Sequence, residues 1–202
     1  MSTLRPIHRR AALACLALLI VGVYAQAWGL PYLWDDHTLV ENNPIVQQPG
    51  NLARIFGGDL FAQEQGRGSE YFRPLTTLTF WVEARFGDAA QAIGHGINVL
   101  LHVLAALLAS ALALRLRLGA APAILVGVVV GLHPLQSATV YWISARGDAL
   151  AMVFVLLAAL VAAGERRPLA RQLIAGALFL AALLAKETAV AALPLVAGAS
   201  VC

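Results

Sequence analysis

The strongest constraint on the fold is an apolar run, from Ala11 to Leu30, that is long enough to cross a membrane as one helix. A second run of this kind, from Ile97 to Leu114, follows only after a long segment of mixed polarity. Hydrophobic residues make up 60% of the chain, charged residues make up 12%, and the mean hydropathy is +0.76. Soluble domains carry about twice this charged fraction, so the sequence predicts a membrane protein.

The basic residues indicate which ends of the runs face the cytoplasm, because Lys and Arg accumulate in short cytoplasmic loops. We therefore predict a cytoplasmic N-terminus and an outer location for the segment after the first run, and every acid except Glu165 lies on the predicted outer side. The net charge is +3, but no basic patch is interleaved with aromatic residues, which excludes nucleic-acid binding. The basic residues assigned to the cytoplasmic side are Arg5, Arg9, Arg10, Arg115, Arg117, Arg166, Arg167 and Arg171.

The first apolar run has an alternative interpretation as a cleaved secretory signal. It follows a pair of arginines and contains Ala25-Gln26-Ala27, which has the Ala-x-Ala pattern of a cleavage site. The run continues to Leu30, which favours a retained span. Neither Cys15 nor Cys202 has the spacing of a metal site or an obvious disulfide partner.

The sequence as a whole predicts an all-α polytopic membrane protein with about six transmembrane helices in a single membrane domain, residues 1–202. Its large outer first loop is predicted to contain interfacial helices, since Asn51 could cap one from Leu52 and Pro74 could begin another. No tetratricopeptide-like repeat occurs in the sequence. The predicted segments are a first span at 11–30, the outer loop at 31–96, a second span at 97–114 and four further spans within 120–202.

Ionisable residues gather at the predicted outer ends of these spans, where they are costly unless they are paired or face a wet cavity. Transfer of a sugar from a polyprenyl phosphate needs a carboxylate to deprotonate the acceptor and cations to stabilise the leaving phosphate. It also needs an apolar slot for the lipid tail. The residues predicted to form such a site are Asp35, Asp36, Arg73, His133, Arg146, Asp148, Lys186 and Glu187.

Seven short motifs follow one another along the chain: WDD, ENNPIV, NLARIF, YFRPLTTLTF, HGINVLLH, HPLQSATVYWISARGDAL and AKETAV. Over about residues 20–195, their order and spacing resemble the N-terminal membrane part of the transmembrane and tetratricopeptide-repeat O-mannosyltransferases. They are more distantly similar to protein O-mannosyltransferases and lipid A aminoarabinose transferases. The resemblance implies a partial module of the glycosyltransferase C-type fold. It also implies an inverting enzyme that uses a polyprenyl- or dolichyl-phosphate-linked sugar on the outer or lumenal face.

The resemblance also implies roles for individual residues. Asp35 matches the expected catalytic base and Asp36 its acidic neighbour, while Arg73 matches a basic residue near the lipid phosphate. The remaining matches are Arg146 and Asp148 in the charged motif at the outer end of the fourth span, Lys186 at the close of the fifth, with Glu187 beside it, and His133 in a His-Pro turn.

Structural explanations are available for the same residues. Asp35 and Asp36 could be solvated acids that cap the turn after the first span, and Arg73 could extend towards lipid headgroups. His133 precedes a proline and could mark only the end of a helix.

The later charges have structural explanations as well. Lys186 and Glu187 could form the loop of a helical hairpin. Arg146 and Asp148 are two residues apart and do not face each other on a helix, so we expect each to have a separate partner across the bundle.

The sequence assigns no metal ligand with certainty, although two cation sites are open. His95 and His102 share a helical face and could form a zinc site with His133, but His102 is expected to hydrogen-bond across helices instead. Asp35 and Asp36 could hold a divalent cation through oxygen ligands.

Two other functions are open. Family members usually carry more spans and often tetratricopeptide repeats. The chain could therefore be a truncated, non-catalytic subunit or a scaffold that binds carrier lipid, with a partner chain supplying the missing spans or repeats. A small transporter is a third interpretation, disfavoured because the ionisable residues gather at one surface. The expected location is the bacterial inner membrane, with the endoplasmic reticulum as the alternative.

Overall fold

A computed structural model describes residues 6–57, 71–164 and 168–199, and every regular element in these ranges is a helix. The all-α prediction is confirmed for this part of the chain. Short helical turns, such as Pro44–Gln47, Leu52–Ile55 and Ser137–Tyr141, connect the longer helices. The helices used below are α1 (Pro6–Val23), α2 (Pro74–Glu83), α3 (Ala90–Arg115), α4 (Ala120–Leu132), α5 (Arg146–Ala162), α6 (Leu169–Ala185) and α7 (Leu193–Ala199).

Within the described ranges, three helical segments are long and apolar enough to cross a membrane: Ile7–Gly29, Pro74–Arg115 and Ile143–Ala162. Helix α4 and the segment Pro134–Tyr141 would make a fourth if this pair, bent by 48°, counts as one span. Helix α6 and the segment Glu187–Ala199 are apolar but shorter. The chain is therefore a membrane protein with three or four candidate spans, and the expected six stay a prediction.

Helices α1, α3 and α4 pack so closely that only glycine fits at two points of contact. A Cβ atom added to Gly127 would lie 2.1 Å from the Ser110 hydroxyl oxygen, and one added to Gly131 would lie 2.4 Å from Cδ1 of Ile20. Small residues at helix interfaces allow such an approach in membranes. Since Ile20 near the end of α1 meets Gly131 near the end of α4, these two helices run in the same direction.

The remaining contacts fix which helix ends lie together. Gly94 near the start of α3 lies beside Arg146 at the start of α5, and Gly147 lies beside Ala185 at the end of α6. At the opposite end of the bundle, Arg115 donates from Nε to the backbone oxygen of Ala163 over 3.0 Å. The carboxyl ends of α1, α4 and α6 therefore lie at the same end of the bundle as the amino ends of α3 and α5.

The long first loop contains both of the helices that we expected, with one correction. A helix does start at Leu52, but Asn51 does not cap it, because its side chain makes no capping hydrogen bond. The Asn51 amide instead donates to the backbone oxygen of Pro44 and to Gln48. Helix α2 begins at Pro74 as predicted, and a kink at Gly87, with φ of 55°, separates it from α3.

Helix α2 places its polar residues inward and part of its apolar stripe outward. Val82 on α2 and Phe86 in the turn after it are exposed, while Thr76, Thr77 and Glu83 are buried. A buried charged group must be paired, so Glu83 requires a cationic partner inside the bundle.

Candidate functional site

The two adjacent aspartates differ sharply in environment. Asp36 is completely buried, and its carboxylate accepts three backbone N–H groups: Leu33 at 3.0 Å, Ile143 at 3.2 Å and Ser144 at 2.7 Å. Asp35 is exposed and makes no hydrogen bond or ion pair with another described residue. The buried carboxylate therefore anchors the turn after α1 to the loop before α5, and the exposed one is presented to its surroundings.

Neither aspartate caps the following helical turn, His37–Glu41, because Asp36 makes no side-chain capping bond there. Both oxygens of Asp36 are used by backbone donors, which leaves Asp35 as the available oxygen ligand of the pair. The described residues contain no cluster of three or more His, Cys, Asp or Glu side chains that could hold a metal ion. The structure thus gives no support to joint coordination of a divalent cation by the two aspartates.

Arg146 is the centre of a buried polar network. Its side chain has no exposed surface and forms an ion pair of 2.5 Å with Glu83, which is also fully buried. It donates to Asn98 Oδ1 at 2.8 Å, to the backbone oxygen of Gly94 at 2.9 Å and to the Thr79 hydroxyl at 3.1 Å. These bonds join α2, α3 and α5. Because its donors are already engaged inside the bundle, Arg146 differs from the substrate-facing cation that the sequence led us to expect.

Glu83 was missed as a site residue by the sequence reasoning, although a signal was present. It is the only acid inside the predicted helix that starts at Pro74, and an acid in an apolar helix indicates a buried partner. One of its oxygens, Oε1, has no hydrogen-bond partner among the described residues, and neither do the two ring nitrogens of His95. A buried polar atom without a hydrogen-bond partner lowers the free energy of unfolding, so these atoms reduce the stability of the bundle.

Two further ion pairs lie at the same end of the bundle and are partly exposed. Lys186 contacts Asp148 at 2.7 Å, and Arg73 donates from Nε and one terminal nitrogen to the two oxygens of Glu187 at 2.8 and 2.5 Å. The hydrogen bonds from Arg73 lower the pKa of Glu187 below its ordinary value. The expectation that Arg146 and Asp148 have separate partners is confirmed.

A separate hydrogen bond connects α2 with α6, because the Thr76 hydroxyl donates to the backbone oxygen of Ala185 at 2.8 Å. The side chains of Arg73 and Lys186 keep 15% and 21% of their surface exposed, whereas Arg146 keeps none. Both cations are thus accessible from outside the bundle at the end that also carries Asp35.

The histidines have structural contacts. His102 bonds to the backbone oxygen of Gly131 at 3.0 Å, as expected for a contact across helices. Asn98, one turn before it, donates to the backbone oxygen of Trp142 at 2.7 Å. His133 ends α4, is exposed, and accepts the backbone N–H of Leu135 through its ring at 3.3 Å. His133 therefore marks the end of a helix, as its structural explanation expects.

Three curated relatives carry the name protein O-mannosyl-transferase. Tmtc1 from Drosophila melanogaster is 30% identical over 89% of this chain, F38B6.6 from Caenorhabditis elegans is 27% identical over 67%, and human TMTC3 is 23% identical over 69%. The matched regions are 21%, 20% and 16% of these proteins, so the chain spans about a fifth of their length. All three are animal proteins and give no support to the predicted bacterial inner membrane.

No family model matches the chain, and no solved structure matches it. The three relatives agree in name. The chain is a distant member of the family of transmembrane and tetratricopeptide-repeat protein O-mannosyltransferases.

Proposed function

We propose that this chain forms a glycosyltransferase module that transfers a sugar, expected to be mannose, from a polyprenyl- or dolichyl-phosphate donor to a hydroxyl group of a protein or glycan. The observation that carries the proposal is the contrast between Asp35, exposed and without a partner among the described residues, and Asp36, buried and fully bonded. An anchored loop that presents one unpaired carboxylate, at the same end of the bundle as Arg73 and Lys186, supplies the groups that this reaction needs.

In the proposed reaction, an oxygen of the Asp35 carboxylate takes the proton of the acceptor hydroxyl as the hydroxyl oxygen attacks the anomeric carbon of the sugar. The bond between that carbon and the phosphate oxygen breaks, and its electron pair leaves on the polyprenyl phosphate. Attack from the face opposite the phosphate inverts the anomeric centre. The step needs no oxidant, no reductant and no covalent bond between sugar and protein.

The charge that develops on the leaving phosphate is stabilised by Arg73 and Lys186. Each is paired with a carboxylate in the absence of ligand, Arg73 with Glu187 and Lys186 with Asp148. The carboxylates of Glu187 and Asp148 keep 48% and 45% of their side-chain surface exposed, so a phosphate can reach the paired cations without opening the bundle. Glu187 and Asp148 therefore hold the two cations in position until the donor binds.

Two of the expected site residues take modified roles in this proposal. Asp36 is a positioning residue, since it fixes the backbone that carries Asp35. Arg146 is also a positioning residue, because it holds the amino end of the helix on which Asp148 lies. His133 lies exposed on the same end and is kept as a proposed member of the substrate-binding surface.

We place this end of the bundle on the outer or lumenal face, with the end that carries Arg115 in the cytoplasm. The positive-inside rule supports this orientation. The isoprenoid tail then lies among membrane lipids beside the apolar helices. A partner chain that supplies further spans or repeats is part of the proposal and would complete the acceptor site.

The test is transfer of radiolabelled sugar from polyprenyl-phosphate mannose, measured with the purified chain in nanodiscs and with the Asp35→Asn variant. Asp35→Asn is expected to abolish transfer while membrane insertion and thermal stability stay unchanged. Asp88→Asn is the matched control, because Asp88 is an exposed acid of the same outer loop away from these contacts. Full activity of Asp35→Asn would refute the role of Asp35.

A second candidate function is a non-catalytic subunit that binds the carrier lipid. It rests on the partly exposed cations Arg73 and Lys186, which can bind a lipid phosphate without any transfer. In that case the purified chain binds polyprenyl-phosphate mannose, Arg73→Ala weakens binding, and transfer is absent with or without added divalent cation. Both candidate functions thus predict binding of the lipid-linked sugar, but only the first predicts its transfer.

A further inference from the structure

Two tryptophans lie next to Asp35 and have no part in the reaction described above. Trp34 precedes Asp35 in the chain and is 80% exposed. Trp142 is 38% exposed, and its ring stacks on that of Trp34 with centroids 6.4 Å apart and an angle of 22° between the planes. Together the two rings form an aromatic platform at the edge of the candidate site.

The backbone of Trp34 is strained. Its φ is +48°, a left-handed conformation that residues other than Gly, Asn and Asp rarely adopt. Glycine or asparagine would remove the strain, and burial does not compensate for it because most of the indole is exposed. Strained residues of this kind cluster at ligand sites, and here the strained residue presents an exposed aromatic ring beside a candidate base.

The platform is held in place by the same carboxylate that anchors the loop. Asp36 accepts the N–H of Leu33, immediately before Trp34, and the N–H of Ile143, immediately after Trp142. Asn98 donates to the backbone oxygen of Trp142, so both polar atoms of the peptide group between Trp142 and Ile143 are bonded. Both tryptophans are therefore positioned relative to Asp35 before any ligand arrives.

An exposed indole face carries partial negative charge and attracts positively polarised C–H groups. The axial C–H groups on one face of a pyranose ring have this polarity, and they also form an apolar surface that gains from leaving water. We propose that Trp34 and Trp142 form a sugar subsite that stacks against the pyranose ring of the lipid-linked donor. This subsite rests on the proposed transfer reaction, because it holds the anomeric carbon close to Asp35.

Tryptophan is also common at membrane interfaces, where it contacts lipid headgroups. An interfacial anchor has no need of a left-handed backbone or of a second, near-parallel ring. The sugar subsite explains both features, and the lipid contact becomes an outcome of the test.

The test uses the whole chain in nanodiscs with its four tryptophans labelled as 5-fluorotryptophan, and the fluorine resonances assigned by substitution. The probes are methyl α-mannopyranoside, polyprenyl phosphate, and polyprenyl-phosphate mannose. We expect the two probes that contain sugar to shift the resonances of Trp34 and Trp142, with those of Trp28 and Trp81 unchanged. Equal shifts with sugar-free polyprenyl phosphate, or no shift with any probe, would overturn the subsite.

A second measurement separates a ligand contact from a structural role. Trp34→Asn is expected to keep or raise thermal stability, because asparagine tolerates the left-handed backbone. The same variant should bind polyprenyl-phosphate mannose about tenfold more weakly, the effect of roughly one aromatic contact. Its affinity for sugar-free polyprenyl phosphate should not change, and neither should the sugar affinity of Trp28→Ala, the control. A loss of stability in Trp34→Asn with unchanged sugar affinity would contradict the proposal.

The test of the sugar subsite can fail or succeed independently of the test of the transfer reaction. If Asp35→Asn retains full activity but the fluorine shifts depend on sugar, the subsite stands and the assigned base is wrong. If transfer depends on Asp35 but the shifts are absent, the base stands and the subsite is wrong.

Discussion

Removal of either partner of the buried Glu83–Arg146 pair is expected to destabilise the helix bundle strongly. The two side chains contact each other at 2.5 Å with no exposed surface on either. Loss of one partner from such a pair typically costs about 3–5 kcal/mol, because the charge that is left is buried and unpaired. Even the smaller value is a large part of the stability of a typical domain.

The remaining contacts of Arg146 make the two single substitutions unequal. In Glu83→Leu, the guanidinium still donates to Asn98 and to the backbone oxygen of Gly94, so about 3–4 kcal/mol is expected. In Arg146→Met, these two acceptors also lose their donor, at roughly 1–3 kcal/mol each. Arg146→Met should therefore be the more damaging of the two.

The double variant Glu83→Leu with Arg146→Met removes both charges and leaves Asn98 and Gly94 without this donor, while the Thr79 hydroxyl keeps its bond to the backbone oxygen of Thr76. Its cost is expected to be about 2–6 kcal/mol, less than the sum of the single costs by about 3 kcal/mol or more. The assay is reversible unfolding of the purified chain in mixed micelles, with a double-mutant cycle. The matched control is the Asp148–Lys186 pair, which is 45% and 21% exposed and should give a coupling below about 1 kcal/mol. Equal couplings for the two pairs would refute the reasoning.

Three other outcomes follow from the contacts described above. Gly131→Ala should destabilise the bundle by about 1–3 kcal/mol, because its Cβ would lie 2.4 Å from Ile20 Cδ1, whereas Gly22→Ala, with open space around it, should be neutral or stabilising in the same unfolding assay. Asp36→Asn should lower thermal stability and transfer together, unlike Asp35→Asn, because an amide places an N–H against backbone donors that now meet a carboxylate. The lowered pKa of Glu187 means that its pair with Arg73 contributes stability above the ordinary carboxyl pKa of about 4.3 and loses it as the pH falls through the lowered value. The difference in thermal stability between the native chain and Arg73→Ala should therefore vanish on acidification, and a difference that persists in strong acid would contradict this assignment.

The membrane character and the all-helical fold class were readable from the sequence because both depend on local composition. Apolar runs and flanking charges predict where spans begin and end without knowledge of their neighbours. The separation of Arg146 from Asp148 was also predictable, since helical geometry alone forbids their contact. The contact of His102 with a neighbouring helix followed from its position inside an apolar run.

The difference in burial and hydrogen bonding between Asp35 and Asp36 was not predictable from the sequence. The two residues are adjacent and chemically identical, and the donors that bury Asp36 come from Ile143 and Ser144, more than a hundred positions away in the chain. The identity of the partner of Arg146 depends on a contact of the same kind, because Glu83 lies on a different helix.

Helix α2 exposes the apolar side chain of Val82 for a physical reason. In water, an apolar stripe marks the packed face of a helix, but in a membrane protein lipid is as favourable a neighbour for it as protein. The packed face of α2 is marked instead by Thr76, Thr77 and Glu83, which need polar partners inside the bundle. A search for polar residues on one helical face would have found it.

The two kinds of ion pair in this molecule suit two different tasks. The Glu83–Arg146 pair has no access to solvent, so an incoming anion cannot compete for the guanidinium without opening the bundle. The Arg73–Glu187 and Lys186–Asp148 pairs are partly exposed, so a phosphate can reach their cations while the bundle stays closed. In the proposed reaction the lipid phosphate must bind and then leave. The partly exposed cations Arg73 and Lys186 suit this exchange, and the buried Glu83–Arg146 pair holds the helices beside them in place.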